Sequence, residues 1–109
     1  MSNVSLNPRE REIVLQCMKV VRELIDEREL HSRMGITAEE LETVVAQWPN
    51  IDDGAEGSVG FLAVNNSLNE VCHGVRIDEW DRWFDAPPDE IRKTYENWLE
   101  RKGMRSGIR

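Results

Sequence analysis

The chain is poor in the residues that small-protein chemistry most often uses. Its 109 residues include two cysteines, two histidines, one tyrosine and seven glycines. Two cysteines cannot build a disulfide framework. Cys17 and Cys72 both fall on apolar helical stretches, so they read as core thiols, kept reduced in a cytoplasm. Only His31 and His73 could act as imidazole bases, and neither stands in a nucleophile pattern. No apolar run approaches the roughly 18 residues of a membrane span. No charged-then-apolar leader opens the chain, which predicts a protein that is not secreted. Residues 36–75 contain no Lys or Arg at all. With a net charge of −7, binding to a phosphate backbone is disfavoured, since that term needs cations.

What is present is sufficient for one core. A chain of this length holds a single domain, 1–109, without metal or disulfide staples. Charge is distributed unevenly. Residues 1–35 and 76–109 each balance to zero, so the whole net charge lies in the central block. Its acids are Glu39, Glu40, Glu42, Asp52, Asp53, Glu56 and Glu70. After Glu100 only bases follow, making the C-terminus basic. Such segregation predicts an acidic surface suited to a steered interface, with Glu39, Glu42, Asp52, Asp53 and Glu56 as its candidates.

Caps and periodicity predict about five helices. Asn7-Pro8-Arg9-Glu10 combines an N-cap, a proline at the first helical position and a capping box. Ile13, Val14, Cys17, Met18, Val20, Val21, Leu24 and Ile25 follow at helical spacing, predicting a central helix that runs to about Leu30. Lys19–Glu23 and Arg22–Asp26 would be i,i+4 pairs on its polar side. After Gly35, Thr37 and Glu40 form a second capping box, with Ile36 and Leu41 as its staple. Leu41, Val44, Val45 and Trp48 make one face, and Pro49 stops that helix. Residues 49–60 read as a loop. A third helix is predicted over 58–73, with Gly74 as its C′ residue. The β-branched stretch Val59–Val64 also suits a strand, but its spacing continues beyond strand length. A short helix should carry Trp80, Trp83 and Phe84, and a last one should run from Pro88 to Gly103. Residues 1–6 and 104–109 are expected to be flexible. The fold class is therefore all-α, packed around a central N-terminal helix, orthogonal or bundle-like.

Several chemistries fail on spacing. Glu70-Val71-Cys72-His73 holds one Glu-x-x-His, but paired-iron bundles need two, plus further carboxylates. Asn50-Ile51-Asp52-Asp53-Gly54 lacks the closing acid of a calcium loop in either register. Gly54, Gly57 and Gly60 precede a helix, yet without a phosphate-binding lysine or a preceding strand. No metal, no cofactor and no catalytic set is expected, and the chain reads as a non-enzyme. A helix–loop–helix reading over 37–73 meets two objections. Its loop is too long, and its second helix has no Lys or Arg to approach phosphates.

Two further clusters remain as candidate surface. Asn65, Asn69 and His73 recur at i, i+4 and i+8, either as interhelical hydrogen-bonding groups or as a recognition strip. Trp80, Trp83 and Phe84 crowd a short element ringed by charge, the layout of an interface centre and its rim. The expected function is a small cytoplasmic adaptor or regulatory module. Its partner would be another protein or a second copy, in a homodimer through Trp80 or Trp83. The alternative is a nucleic-acid-associated transcriptional regulator, with the helix–loop–helix element for bases and the basic C-terminus for phosphates.

Overall fold

Side-chain caps set the helix starts. α1 (Pro8–Leu24) begins where the Glu10 N–H donates to Asn7 Oδ1 at 2.8 Å and the Asn7 N–H donates to Glu10 Oε1 at 3.1 Å. α2 (Glu27–Met34) is capped by Asp26 and closed by Gly35, whose φ of 75° favours glycine. α3 (Ala38–Gln47) has the reciprocal Thr37–Glu40 box, at 3.0 and 2.9 Å. α4 (Val59–Asn69) starts at Ser58 and continues into a single π-helical turn, Glu70–Gly74. α5 (Trp80–Trp83) is one turn long, and α6 (Pro88–Arg101) starts on its proline and closes near Gly103. These elements come from a computed structural model that describes residues 6–54 and 56–103.

The all-α, bundle-like fold agrees with the sequence reading, including a helix rather than a strand at Val59–Val64. Three local features differ. The first predicted helix is two helices, because Ile25 turns to an extended backbone and the Asp26 carboxylate caps Arg28 N–H at 2.8 Å. Asp26 is therefore spent as a cap and forms no pair with Arg22. Gly74 is not a left-handed cap. It lies in the π turn, where a Cβ would collide with the Glu70 carboxylate. Leu6, predicted flexible, is buried in the core. The other residues predicted to be flexible, 1–5 and 104–109, lie outside the described part.

The core has two axes rather than one. α1 packs on α2, α3, α4 and α6, and α4 does the same with α1, α2, α3 and α6. Ile13, Val14, Cys17, Met18, Val20 and Val21 of α1 are fully buried, as are Ala63, Val64 and Leu68 of α4. Trp98 of α6 closes one side with no exposure, its ring tilted at 5.6 Å from Phe61. The segment from Ile51 to Asp53 comes so near the start of α4 that a Cβ on Gly60 would overlap the Asp52 carbonyl. A glycine is needed there for space, not for an unusual φ.

Candidate functional site

The three candidate surfaces of the sequence fare differently in three dimensions. The amide strip faces inward. Asn65 Oδ1 accepts the indole N–H of buried Trp98 at 3.0 Å, and Asn65 Nδ2 donates to Asn66 Oδ1 at 3.0 Å. Asn66 Nδ2 then donates to the Met34 carbonyl at 2.7 Å, which helps satisfy the end of α2. Asn69 Oδ1 accepts the Tyr95 hydroxyl at 3.2 Å. The amides thus tie α4 to α2 and α6. His73 alone of the strip is exposed, with its ring 6.3 Å from that of Tyr95.

Three acids of the central block, Glu42, Asp53 and Glu70, are matched by cations from the flanking thirds of the chain. Glu70 is buried and ion-paired with Arg33 of α2, whose guanidinium is held above its ordinary pKa by that bond. Asp53 is only 1% exposed and so belongs to the interior, not to an acidic surface. Lys102 donates to its backbone carbonyl at 2.9 Å and lies 3.3 Å from its carboxylate. The same ammonium sits 4.8 Å above the Trp98 ring. Glu42 is exposed but bonded to Arg22 Nε at 2.6 Å. Asp52 caps Gly54 N–H at 2.8 Å, and Glu40 completes its box. Glu39 and Glu56 remain exposed on the surface.

Another acid, outside that block, is held by a two-pronged ion pair. Glu10 is buried and receives Arg101 through both terminal guanidinium nitrogens, at 2.6 and 3.1 Å, with Asn97 at 3.3 Å. Burial alone would raise this carboxyl, but the hydrogen bonds from Arg101 and the Asn7 backbone outweigh it and hold it below its usual value.

The aromatic segment does not present three rings together. α5 ends at Trp83, and Phe84 turns to an extended conformation that buries it in the core. Trp80 stacks on Phe84 with centroids 4.3 Å apart and donates its indole N–H to the Ala86 carbonyl at 2.6 Å. Trp48 donates to the Arg11 carbonyl and Trp98 to Asn65, both at 3.0 Å. Trp83 differs from all of these. It is half-buried, and its indole N–H finds no acceptor among the described residues. The Arg82 guanidinium lies 5.4 Å from its ring.

Trp83 is one wall of a shallow groove of about 420 Å³. α1 supplies Lys19, Arg22 and Glu23, and α3 supplies Glu42, Val45 and Ala46. The lining is chiefly apolar, with charge at the rim, whereas the cleft at His31 is lined by Glu27, Arg28, Thr37, Ala38 and Glu39. Sequence reasoning found Trp83 but not the groove. Val45 appeared only as part of a core face, and nothing local in the sequence joins it to Lys19 or Trp83.

The remaining chemistry is sparse. No three His, Cys, Asp or Glu residues gather in a metal-binding arrangement among the described residues. Burial pushes the Cys17 thiol far up and raises Cys72 to about 11, so both are protonated at neutral pH. No helix among the described residues is long and apolar enough to cross a membrane. No protein-family pattern, curated protein or solved structure matches the chain.

Proposed function

We propose that the protein is a small protein-binding module, an adaptor or regulatory domain, that docks a partner polypeptide in the groove of α1, α3 and Trp83. One observation carries the reading. Trp83 is the tryptophan whose indole N–H has no acceptor among the described residues, and it stands at the edge of an apolar groove with a charged rim. Tryptophan with an open donor beside apolar surface is the residue type enriched at interface hot spots. The groove's lining holds no His, Cys or Ser, which favours binding over nucleophilic catalysis. Two unpaired thiols favour a reducing, cytoplasmic setting. The acidic surface enters more modestly than its sequence suggests, through Glu39, Glu56 and the rim acids Glu23 and Glu42.

A photoreactive residue in place of Ala46, exposed within the groove, tests this. Irradiation in a cytoplasmic extract should give polypeptide adducts. They should be absent when the same residue replaces exposed Arg92 on α6, and lost when Trp83→Ala is added. Truncating a hot-spot tryptophan weakens binding by about 2 kcal/mol, roughly thirtyfold. Adducts that ignore Trp83, or equal yields at both positions, refute the assignment.

A further inference from the structure

The rim of the groove indicates what fills it. Lys19 and Glu23 are four residues apart on α1, both exposed, and neither forms an ion pair among the described residues. The i,i+4 pair expected from their spacing is not made. The other two rim charges, Arg22 and Glu42, neutralise each other across the junction of α1 and α3. The groove is therefore balanced in charge on a molecule of net charge −7. A strongly cationic or anionic partner gains no net attraction here. A second copy of the chain, repelled by the net charge of the whole molecule, is not repelled at this patch.

We propose that a second copy occupies the groove, related by a two-fold axis that crosses α1 between Lys19 and Glu23. This rests on the protein-binding reading above. A two-fold axis reverses the direction of α1 in the partner, so Lys19 faces the partner's Glu23 while Glu23 faces the partner's Lys19. Such an interface is isologous: each contact occurs twice. The two unpaired charges of each chain are thereby matched, and Trp83, Val45 and Ala46 of each copy are covered by the flank of the other copy's α1. Exposed charge pairs of this kind set register more than strength. The groove is small beside the surface of a permanent dimer, so the association is weak, in the micromolar range.

Charge reversal distinguishes this occupant from any other. In Lys19→Glu, acids at both positions face acids of the partner. In Glu23→Lys, bases face bases. When the two variants are mixed, the acidic face of one meets the basic face of the other. Sedimentation equilibrium at low salt should show the wild type dimerising in the micromolar range. Each variant alone should dimerise at least about tenfold more weakly, and an equimolar mixture should recover wild-type association as a 1:1 heterodimer. Both sites are exposed on a helix, and circular dichroism should show that each variant keeps its helical content. A wild type monomeric at high micromolar concentration overturns the proposal, as does a mixture no tighter than its components. Adducts from position 46 with other chains only would overturn the second copy and keep the binding reading. No adduct of any kind would overturn both.

Discussion

Replacing Asn65 by alanine separates the two roles open to the amide strip. Trp98 has no exposure, so its indole N–H depends on Asn65 Oδ1 at 3.0 Å. Without that acceptor, a buried donor is left unsatisfied, at a cost of about 1–3 kcal/mol. The Asn65 Nδ2 bond to Asn66 is lost as well, which frees the amide that holds the Met34 carbonyl. We expect a loss of about 2 kcal/mol in urea unfolding, with a melting temperature lower by roughly 10 °C. Asn66→Ala removes two part-buried bonds, its own to the Met34 carbonyl and the one it accepts from Asn65 Nδ2, and should cost about 1–2 kcal/mol. Because the two amides bond each other, the double variant should lose less than the sum of the singles. A value for Asn65→Ala within about 0.5 kcal/mol of wild type would refute the structural role and return the strip to recognition.

Other expectations follow from the same contacts. Thr37→Ala removes one half of a reciprocal capping box and should cost about 1 kcal/mol by denaturant titration, with α-helical content retained. Gly60→Ala drives a methyl group into the Asp52 carbonyl and toward Ile51, and should destabilise by about 2–3 kcal/mol. An unchanged midpoint would show that the segment at Asp52 does not lie on α4. The Glu10 carboxyl titrates lower when folded than its ordinary 4.5, so the folded state binds fewer protons in that window. Its contribution is complete above pH 4.5 and is lost as pH falls through the folded pKa. Glu10→Gln should therefore be less stable than wild type at pH 7, with the difference shrinking in acid.

Legibility followed the range of the interactions. Asn7, Thr37 and the proline starts act within one turn, and their sequence signatures matched the caps. The break at Ile25–Asp26 was hidden because apolar spacing continues through Ile25 to Leu30, although Asp26 followed by Glu29 has the spacing of a cap and its third residue. Four of the five acids read as surface are exposed, but Asp53 is buried, and pairing within the block was hidden because its counter-ions, Arg22, Arg33 and Lys102, lie in other parts of the chain. Local net charge does not reveal pairing over 20 to 49 residues of separation. Trp80, Trp83 and Phe84 share a face only while the helix lasts. It ends at Trp83, and the backbone at Phe84, at φ −126° and ψ 142°, turns that ring into the core. The amides were readable as a periodic strip, but their direction toward Trp98 and Tyr95 depends on how α6 returns across α4.

The four tryptophan indole N–H groups give the most direct measurement. In a ¹H–¹⁵N spectrum each indole yields one signal, assigned by single Trp→Phe substitutions. Trp48, Trp80 and Trp98 donate to Arg11, Ala86 and Asn65, so their signals should be protected from exchange with water and should not depend on concentration. The Trp83 signal should exchange fastest in dilute protein. It should shift and gain protection as concentration rises through the micromolar range, where the proposed dimer forms. A Trp83 signal that stays fixed while Trp80 moves would contradict the account, because it would place the contact surface on the ring that the chain already satisfies.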